Sequence, residues 1–228
     1  MHQKYAIITA GGAGVRMNSP LPKQFMQLQG KPLLIHSISV FLKFSPDIHI
    51  VLVLPEEHED KWKSLCKKYH FYPPLEVVYG GPTRFHSVKN GLKRVPDDAI
   101  VAIHDGVRPL VSLKTIQQCF HIASKFGNAI PAIDLHESVR LIDGAFSKII
   151  KRESIRLIQT PQCFHASKIK AAYNINYDPS FTDDATVLEH SGEKIYIIEG
   201  NRENIKITNR EDLVVASALL DFLRQNED

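Results

Sequence analysis

The chain has 228 residues, 43% of them hydrophobic, and 28 basic residues against 25 acidic ones give it a formal net charge of +3. This length and composition allow one globular domain with a substantial core, so we expect residues 1–228 to form a single domain. The charges are spread along the chain without a long block of either sign, which argues against a nucleic-acid partner. No apolar run reaches the ~18 residues that a membrane helix requires, so we expect no membrane partner either.

The cysteines and the N-terminal residues indicate the cellular compartment of the protein. Cys66, Cys119 and Cys163 are an odd number, lie far apart and form no CxxC spacing, so they predict neither a disulfide framework nor a zinc site. The apolar run before the first glycine is too short for a signal-peptide core. Both observations predict a cytoplasmic protein.

Apolar runs and amphipathic segments alternate through the first 133 residues. The predicted strands cover residues 5–10, 48–54, 75–78, 99–103 and 129–133, and the predicted helices cover residues 31–44, 55–69, 83–95 and 113–126. Strands that alternate with helices in this way are typical of a parallel sheet covered on both faces. We therefore predict an α/β fold with a Rossmann-like, mostly parallel sheet.

The pattern changes after Ile133. Alternating apolar and polar residues surround Asp143-Gly144, which predicts a protruding antiparallel hairpin, an arm at about residues 134–158. Helices are then predicted at 166–174, 183–190 and 209–224, with a strand at 194–198.

A glycine-rich loop with two cations follows the first strand. The stretch "ITAGGAGVRMNSPLPKQF", residues 8–25, contains Gly11, Gly12, Gly14, Arg16 and Lys23. It lacks the GxxxxGK[ST] string of a Walker A loop, and the third position of a GxGxxG fingerprint is not glycine. A small-residue loop whose N–H groups approach an anion, with two cations nearby, suits a triphosphate, although a solvated turn is the simpler alternative.

Two further motifs are predicted at the carboxyl edge of the sheet. "GGPTRFHSV" (80–88) lies at a strand-to-helix junction, where open α/β sheets bind ligands, although a structural turn would also explain it. "IHDGVRP" (103–109) places Asp105 at the same edge, where a carboxylate beside a triphosphate could bind Mg²⁺. His104 is more typical of a packed core residue, and Arg108 is also explained by an ion pair with Asp105.

Three more motifs complete a pattern that resembles a known family. They are "KRESIRLIQTPQCF", "FTDDATVLE" and "GNRENIKIT". With the first three motifs they closely resemble the 2-C-methyl-D-erythritol 4-phosphate cytidylyltransferase family, from residue 5 to about residue 220. The resemblance implies transfer of CMP from CTP to this polyol phosphate, with Mg²⁺ as cofactor and a homodimer formed through the arm.

The resemblance also implies roles for individual residues. Arg16 and Lys23 would be catalytic and hold the phosphates. The implied CTP contacts are Ala10, Gly11, Gly12, Ala13, Gly14, Gly81, Ser87 and Asp105. The implied polyol-phosphate contacts are Asp105, Gly106, Arg152, Thr160, Thr182 and Lys206, with Arg152 and Thr160 reaching from the arm of the partner subunit. Pro82, which lacks a backbone donor, and Gly106-Val107 depart from the family pattern.

Three alternatives stay open from the sequence. A ribitol-5-phosphate cytidylyltransferase shares the PKQF loop, the DGVRP-like turn and NIKIT. A non-catalytic nucleotide-binding regulator could use the same fold, since a fold alone does not prove chemistry. A nicotinamide-dependent oxidoreductase is disfavoured by Met17, which occupies the third fingerprint position.

Overall fold

The computed structural model describes residues 2–12 and 21–226. Its strands are β1 (Lys4–Thr9), β2 (Gln27–Leu28), β3 (Lys31–Pro32), β4 (His49–Leu54), β5 (Leu75–Tyr79), β6 (Ile100–Asp105), β7 (Asn128–Asp134), β8 (Arg140–Asp143), β9 (Phe146–Ile149), β10 (Arg156–Ile158), β11 (Gln162–His165) and β12 (Ile197–Glu199). Its helices are α1 (Leu33–Phe44), α2 (Glu59–Lys68), α3 (Arg84–Leu92), α4 (Leu113–Phe126), α5 (Ala166–Ala172), α6 (Asp184–His190) and α7 (Arg210–Gln225).

Eight of these strands form one mostly parallel sheet, as predicted. The order is β10-β7-β11-β6-β1-β4-β5, and β12 also pairs with β7. Strands β1, β4, β5 and β6 are mutually parallel, whereas β11 runs antiparallel between β6 and β7. The sequence analysis did not predict β11, because its four residues show no distinctive alternation and are followed directly by a helix.

Helices cover both faces of the sheet, and alternate strand residues point to the two sides. In β1, Ala6 and Ile8 join a cluster that contains Phe41 of α1 and Phe120 of α4. Ile7 of the same strand faces a second cluster, formed mainly by α3, α5 and α6. Burial on both faces explains the continuous apolar runs of the central strands and confirms the predicted Rossmann-like arrangement.

Several element boundaries differ from the prediction by a few residues; for example, α2 begins at Glu59 rather than at residue 55, and α3 ends at Leu92 rather than at residue 95. Helix α1 begins at Leu33 rather than at residue 31, because Pro32 has an extended backbone (ψ 142°) and Lys31–Pro32 pairs with Gln27–Leu28 as a short ribbon. Strand β12 is shorter than predicted and occupies Ile197–Glu199.

The predicted arm is present as the hairpin β8–β9, whose turn has Gly144 at φ 60°. It lies between β7 and β10, beyond the edge of the sheet where β6 and β7 end. Several large apolar side chains of the arm are exposed: Leu141, Ile142, Phe146 and Ile149. Among the described residues, no helix combines the length and the apolar character needed to cross a bilayer.

Candidate active site

The first cleft lies at the carboxyl ends of the parallel strands. Thr9 at the end of β1 is in register with Asp105 at the end of β6, so the loops after these strands lie side by side. The cleft has a volume of about 190 Å³. Its lining includes Ala10, Gly11, Gly12, Lys23, Gly81, Pro82, Arg84, Ser87, Asp105 and Lys206.

At two glycines of this cleft, other groups approach the backbone closely. A Cβ atom at Gly81 would lie 2.5 Å from the Cβ of His86, and one at Gly12 would lie 3.0 Å from Cε of Lys23. The N–H of Gly81 donates to Oγ of Ser87 at 3.1 Å. The glycines therefore leave exposed backbone in a space that side chains would otherwise fill.

A second cleft of about 180 Å³ adjoins the first. It is lined by Arg84, Asp105, Arg108, Ile158, Gln159, Thr160, Gln162, Thr182, Asp183 and Lys206. Arg84, Asp105 and Lys206 line both clefts. Together the two linings contain four cationic side chains and two carboxylates, so the site suits two anionic ligands held next to each other.

Asp105 is the electrostatic centre of the site. Its carboxylate lies 3.0 Å from Nζ of Lys206, 3.4 Å from Nε of Arg84 and 3.5 Å from Nε of Arg108. Burial alone would raise the pKa of Asp105, but the three cations outweigh that effect and hold the pKa well below its usual range. Asp105 therefore stays ionised at every physiological pH and fixes the cations around it.

The fully buried carboxylate of Asp184 holds the guanidinium of Arg84 in place. The two terminal nitrogens of Arg84 donate to Asp184 of α6 at 2.9 and 2.7 Å, and Tyr173 donates to the same carboxylate at 2.6 Å. Burial would lower the pKa of Arg84, but Asp184 and Asp105 raise it above its usual value. This bidentate pair holds the guanidinium rigidly between the two clefts.

Thr160 is part of the same chain's site, which corrects the expectation that it reaches a partner from the arm. Thr160 follows β10, which has already rejoined the sheet, and its hydroxyl oxygen accepts from the N–H of Asp105 at 3.1 Å. The hydroxyl in turn donates to Nδ1 of His104 at 3.0 Å, and Nε2 of His104 donates to the carbonyl of Arg108 at 3.0 Å. Backbone pairing within the sheet, rather than the arm, therefore positions Thr160.

His104 should make stability fall as the pH is lowered. Burial lowers the pKa of His104 to about 4 in the folded protein, whereas the pKa of histidine in an unfolded chain is about 6.5. The stability that the neutral imidazole supplies is therefore fully present above the unfolded pKa and is lost as the pH falls to the folded pKa. We expect the free energy of unfolding to drop by about 3 kcal/mol over this range. Urea unfolding between pH 7 and pH 4 should show this loss in the wild type and a clearly smaller one in His104→Gln. As a control, His121→Gln replaces an exposed histidine and should behave like the wild type. If His104→Gln loses as much stability between pH 7 and pH 4 as the wild type does, the prediction is contradicted.

The structure brings most of the expected site residues together. Seven of the expected nucleotide-side residues line the first cleft: Ala10, Gly11, Gly12, Lys23, Gly81, Ser87 and Asp105. Asp105, Thr160, Thr182 and Lys206 line the second. Ala13, Gly14 and Arg16 lie outside the described residues.

Gly106 and Arg152 line neither cleft. The N–H of Gly106 donates to Thr9, and its carbonyl accepts from Ser37. Both backbone groups of Gly106 therefore support the turn after β6. Arg152 is half exposed, donates to the carbonyl of His136 and lies near Glu153. The roles of Gly106 and Arg152 remain predictions.

The family model for 2-C-methyl-D-erythritol 4-phosphate cytidylyltransferase matches residues 5–222. The chain belongs to this cytidylyltransferase family. Its relatives include the enzymes so named from Bacteroides thetaiotaomicron, 48% identical over 94% of this chain and 98% of the relative, and from Bacteroides fragilis, 49% identical over the same shares. A solved structure of similar fold is the 4-diphosphocytidyl-2C-methyl-D-erythritol synthase of Anaerococcus prevotii, with TM-score 0.82, 30% identity and 96% of each chain covered.

Two cations that line the candidate site of this cytidylyltransferase were not among the predicted site residues. Arg84 was visible in the "GGPTRFHSV" motif, but its partner Asp184 is 100 residues away, so no local pattern connects them. Arg108 does pair with Asp105, as the sequence suggested, and it also donates to the carbonyl of Asn204 at 2.7 Å and lines the second cleft. The acidic residue three positions earlier was the available signal for Arg108.

Proposed function

We propose that this protein transfers CMP from CTP to 2-C-methyl-D-erythritol 4-phosphate, giving 4-diphosphocytidyl-2-C-methyl-D-erythritol and pyrophosphate for isoprenoid biosynthesis. The observation that carries the proposal is the pair of adjoining clefts that share Arg84, Asp105 and Lys206. The glycine-lined cleft would hold the nucleotide, and the cleft around Thr160 and Thr182 would hold the polyol phosphate. The reacting phosphates would then meet at the shared residues.

The chemistry requires positioning and positive charge rather than a general base. A phosphate oxygen of the polyol phosphate attacks the α-phosphorus of CTP, and pyrophosphate leaves on the opposite side. Because the attacking oxygen is already anionic, the barrier comes from bringing two polyanions together and from charge that develops on the α-phosphoryl oxygens. Lys23 and Arg16 would neutralise the triphosphate, while Lys206 and Arg108 would hold the second phosphate.

The site also fits a magnesium ion that arrives with the nucleotide. Mg²⁺ is commonly held by one or two carboxylates, with substrate phosphates and water as its other ligands. Asp105 offers one ionised carboxylate, and the described residues contain no group of three acidic, histidine or cysteine side chains that could hold an ion alone. Asp105 would therefore be its protein ligand. When bound, Mg²⁺ would neutralise phosphate charge and assist departure of pyrophosphate.

We also infer a homodimer, with Arg152 completing the site of the partner subunit. Two features of the described chain support this. Arg152 is half exposed and lies outside both clefts of its own chain. The arm that carries it exposes Ile142 and Ile149 on one face of the hairpin and Leu141 and Phe146 on the other, and exposed apolar side chains of this size are typical of an interface.

A cytoplasmic location is part of the proposal. Cys66, Cys119 and Cys163 are all free thiols in the structure. Burial raises the pKa of Cys66 to about 11 and that of Cys163 well above its usual value. Cysteines kept as unpaired thiols fit a reducing compartment.

Pyrophosphate release tests the proposal directly. The protein should release pyrophosphate from CTP only when 2-C-methyl-D-erythritol 4-phosphate is present, and more than about tenfold faster than from ATP, GTP or UTP. Ribitol 5-phosphate in place of the methylerythritol substrate is the matched competitor. Faster turnover with ribitol 5-phosphate would reassign the substrate, and no turnover with either would favour a nucleotide-binding regulator.

A further inference from the structure

Lys23 stands on a tight turn directly beside the glycine backbone. Residues Lys23–Phe25 form one turn of 3₁₀-helix, closed by the bond from the N–H of Met26 to the carbonyl of Lys23 at 3.0 Å. A Cβ atom at Gly12 would lie 3.0 Å from Cε and 3.4 Å from Nζ of Lys23. The ammonium therefore lies against the backbone that the nucleotide would contact. This position depends on contacts that fix the turn relative to the end of β1.

The next residue, Gln24, supplies that link. Its side chain is only 1% exposed, and its Nε2 donates to the carbonyl of Ala10 at 2.8 Å and lies 3.3 Å from Nδ1 of His58. The N–H of Ala10 donates to the carbonyl of Val53 at 2.7 Å. One buried amide thus ties the Lys23 turn to the end of β1 and to the segment that follows β4.

We propose that Gln24 is a positioning residue for Lys23. Its amide sets the distance between the Lys23 turn and the glycine backbone, so that the ammonium meets the phosphates without further movement. The proposal rests on the function assigned above to Lys23. Proximity effects of this kind are large, because a displacement of about 1 Å near reacting atoms can cost about a hundredfold in rate.

The side-chain oxygen of Gln24 indicates that this residue contributes little to the stability of the folded protein. Its Oε1 is buried and accepts no hydrogen bond from any residue that the structure describes. A buried acceptor without a donor destabilises a folded protein. A methionine of similar length would lose the bond to Ala10 but would also remove this unpaired oxygen. Gln24→Met should therefore change turnover far more than it changes the melting temperature.

A double-mutant cycle on the full-length protein tests the proposal. Gln24→Met should lower kcat by about tenfold or more with the KM for CTP within about threefold. In a Lys23→Ala background the same substitution should lower the residual kcat by less than about twofold, because the group that it positions is gone. Gln27→Met is the matched control: Gln27 is exposed, donates to Tyr69 outside both clefts, and should turn over like the wild type.

The outcomes separate this proposal from the one on which it rests. Near-normal turnover in Gln24→Met, or an equal loss in both backgrounds, would overturn the positioning role. Near-normal turnover in Lys23→Ala would instead overturn the proposed function of Lys23. Thermal unfolding shows whether each variant folds. If Gln24→Met does not fold, the same double-mutant cycle can be made with Gln24→Asn, which keeps the amide on a shorter side chain.

Discussion

Lys23→Ala is expected to lower kcat by about a hundredfold or more, because one preorganised electrostatic donor to a developing phosphoryl charge contributes about that much to turnover. Lys23 lines the nucleotide cleft and its side chain lies against Gly12. Arginine in its place keeps the charge but cannot occupy the same space beside Gly12, so Lys23→Arg should also be impaired. Steady-state pyrophosphate release gives kcat, and thermal unfolding should show an intact fold.

The control for Lys23→Ala is another lysine outside the site. Lys125 is exposed in the last turn of α4 and lines neither cleft, so Lys125→Ala should turn over normally. Arg16→Ala is expected to match Lys23→Ala, on the strength of the sequence motif alone. Turnover within about threefold of the wild type for Lys23→Ala would remove the electrostatic basis of the mechanism.

The sequence predicted those parts of the fold and of the candidate site that depend on residues close together in the chain. Burial on both faces makes β1 and β6 continuous apolar runs, and parallel strands align their carboxyl ends, so Asp105 could be placed near Gly11 and Gly12 from the sequence. The hairpin turn at Asp143-Gly144 also has a purely local cause, because Gly144 adopts a positive φ.

The parts that it missed depend on contacts between distant segments. Strand β11 runs antiparallel between β6 and β7, and no periodicity in four residues could predict that insertion. The same insertion brings Thr160 to Asp105 within one chain. Asp184 is buried against Arg84 although the surrounding TDDAT stretch looks like an ordinary helix start, because its burial depends on α3 as well as on α6.

A shared site makes the role of Arg152 separable from that of Lys23. If the arm of each subunit completes the other's site, Arg152→Ala and Lys23→Ala should each be nearly inactive alone, because each would disable one of the two adjoining clefts. A hybrid dimer of the two variants would then contain one site with both residues and one site with neither. Such a dimer should recover about half of the wild-type turnover, because one of its two symmetry-related sites is whole.

The hybrid can be isolated by co-expressing the two variants with different affinity tags and purifying through both. The control pairs Arg152→Ala with a chain that carries both substitutions, since no complete site can form there and turnover should stay at the level of the single variants. The Arg152 side chain is half exposed, donates to the carbonyl of His136 and lies near Glu153, so its loss should leave each subunit folded. A doubly tagged dimer without recovered turnover would contradict the exchange of Arg152 between subunits, and failure to isolate any doubly tagged dimer would contradict the dimer itself.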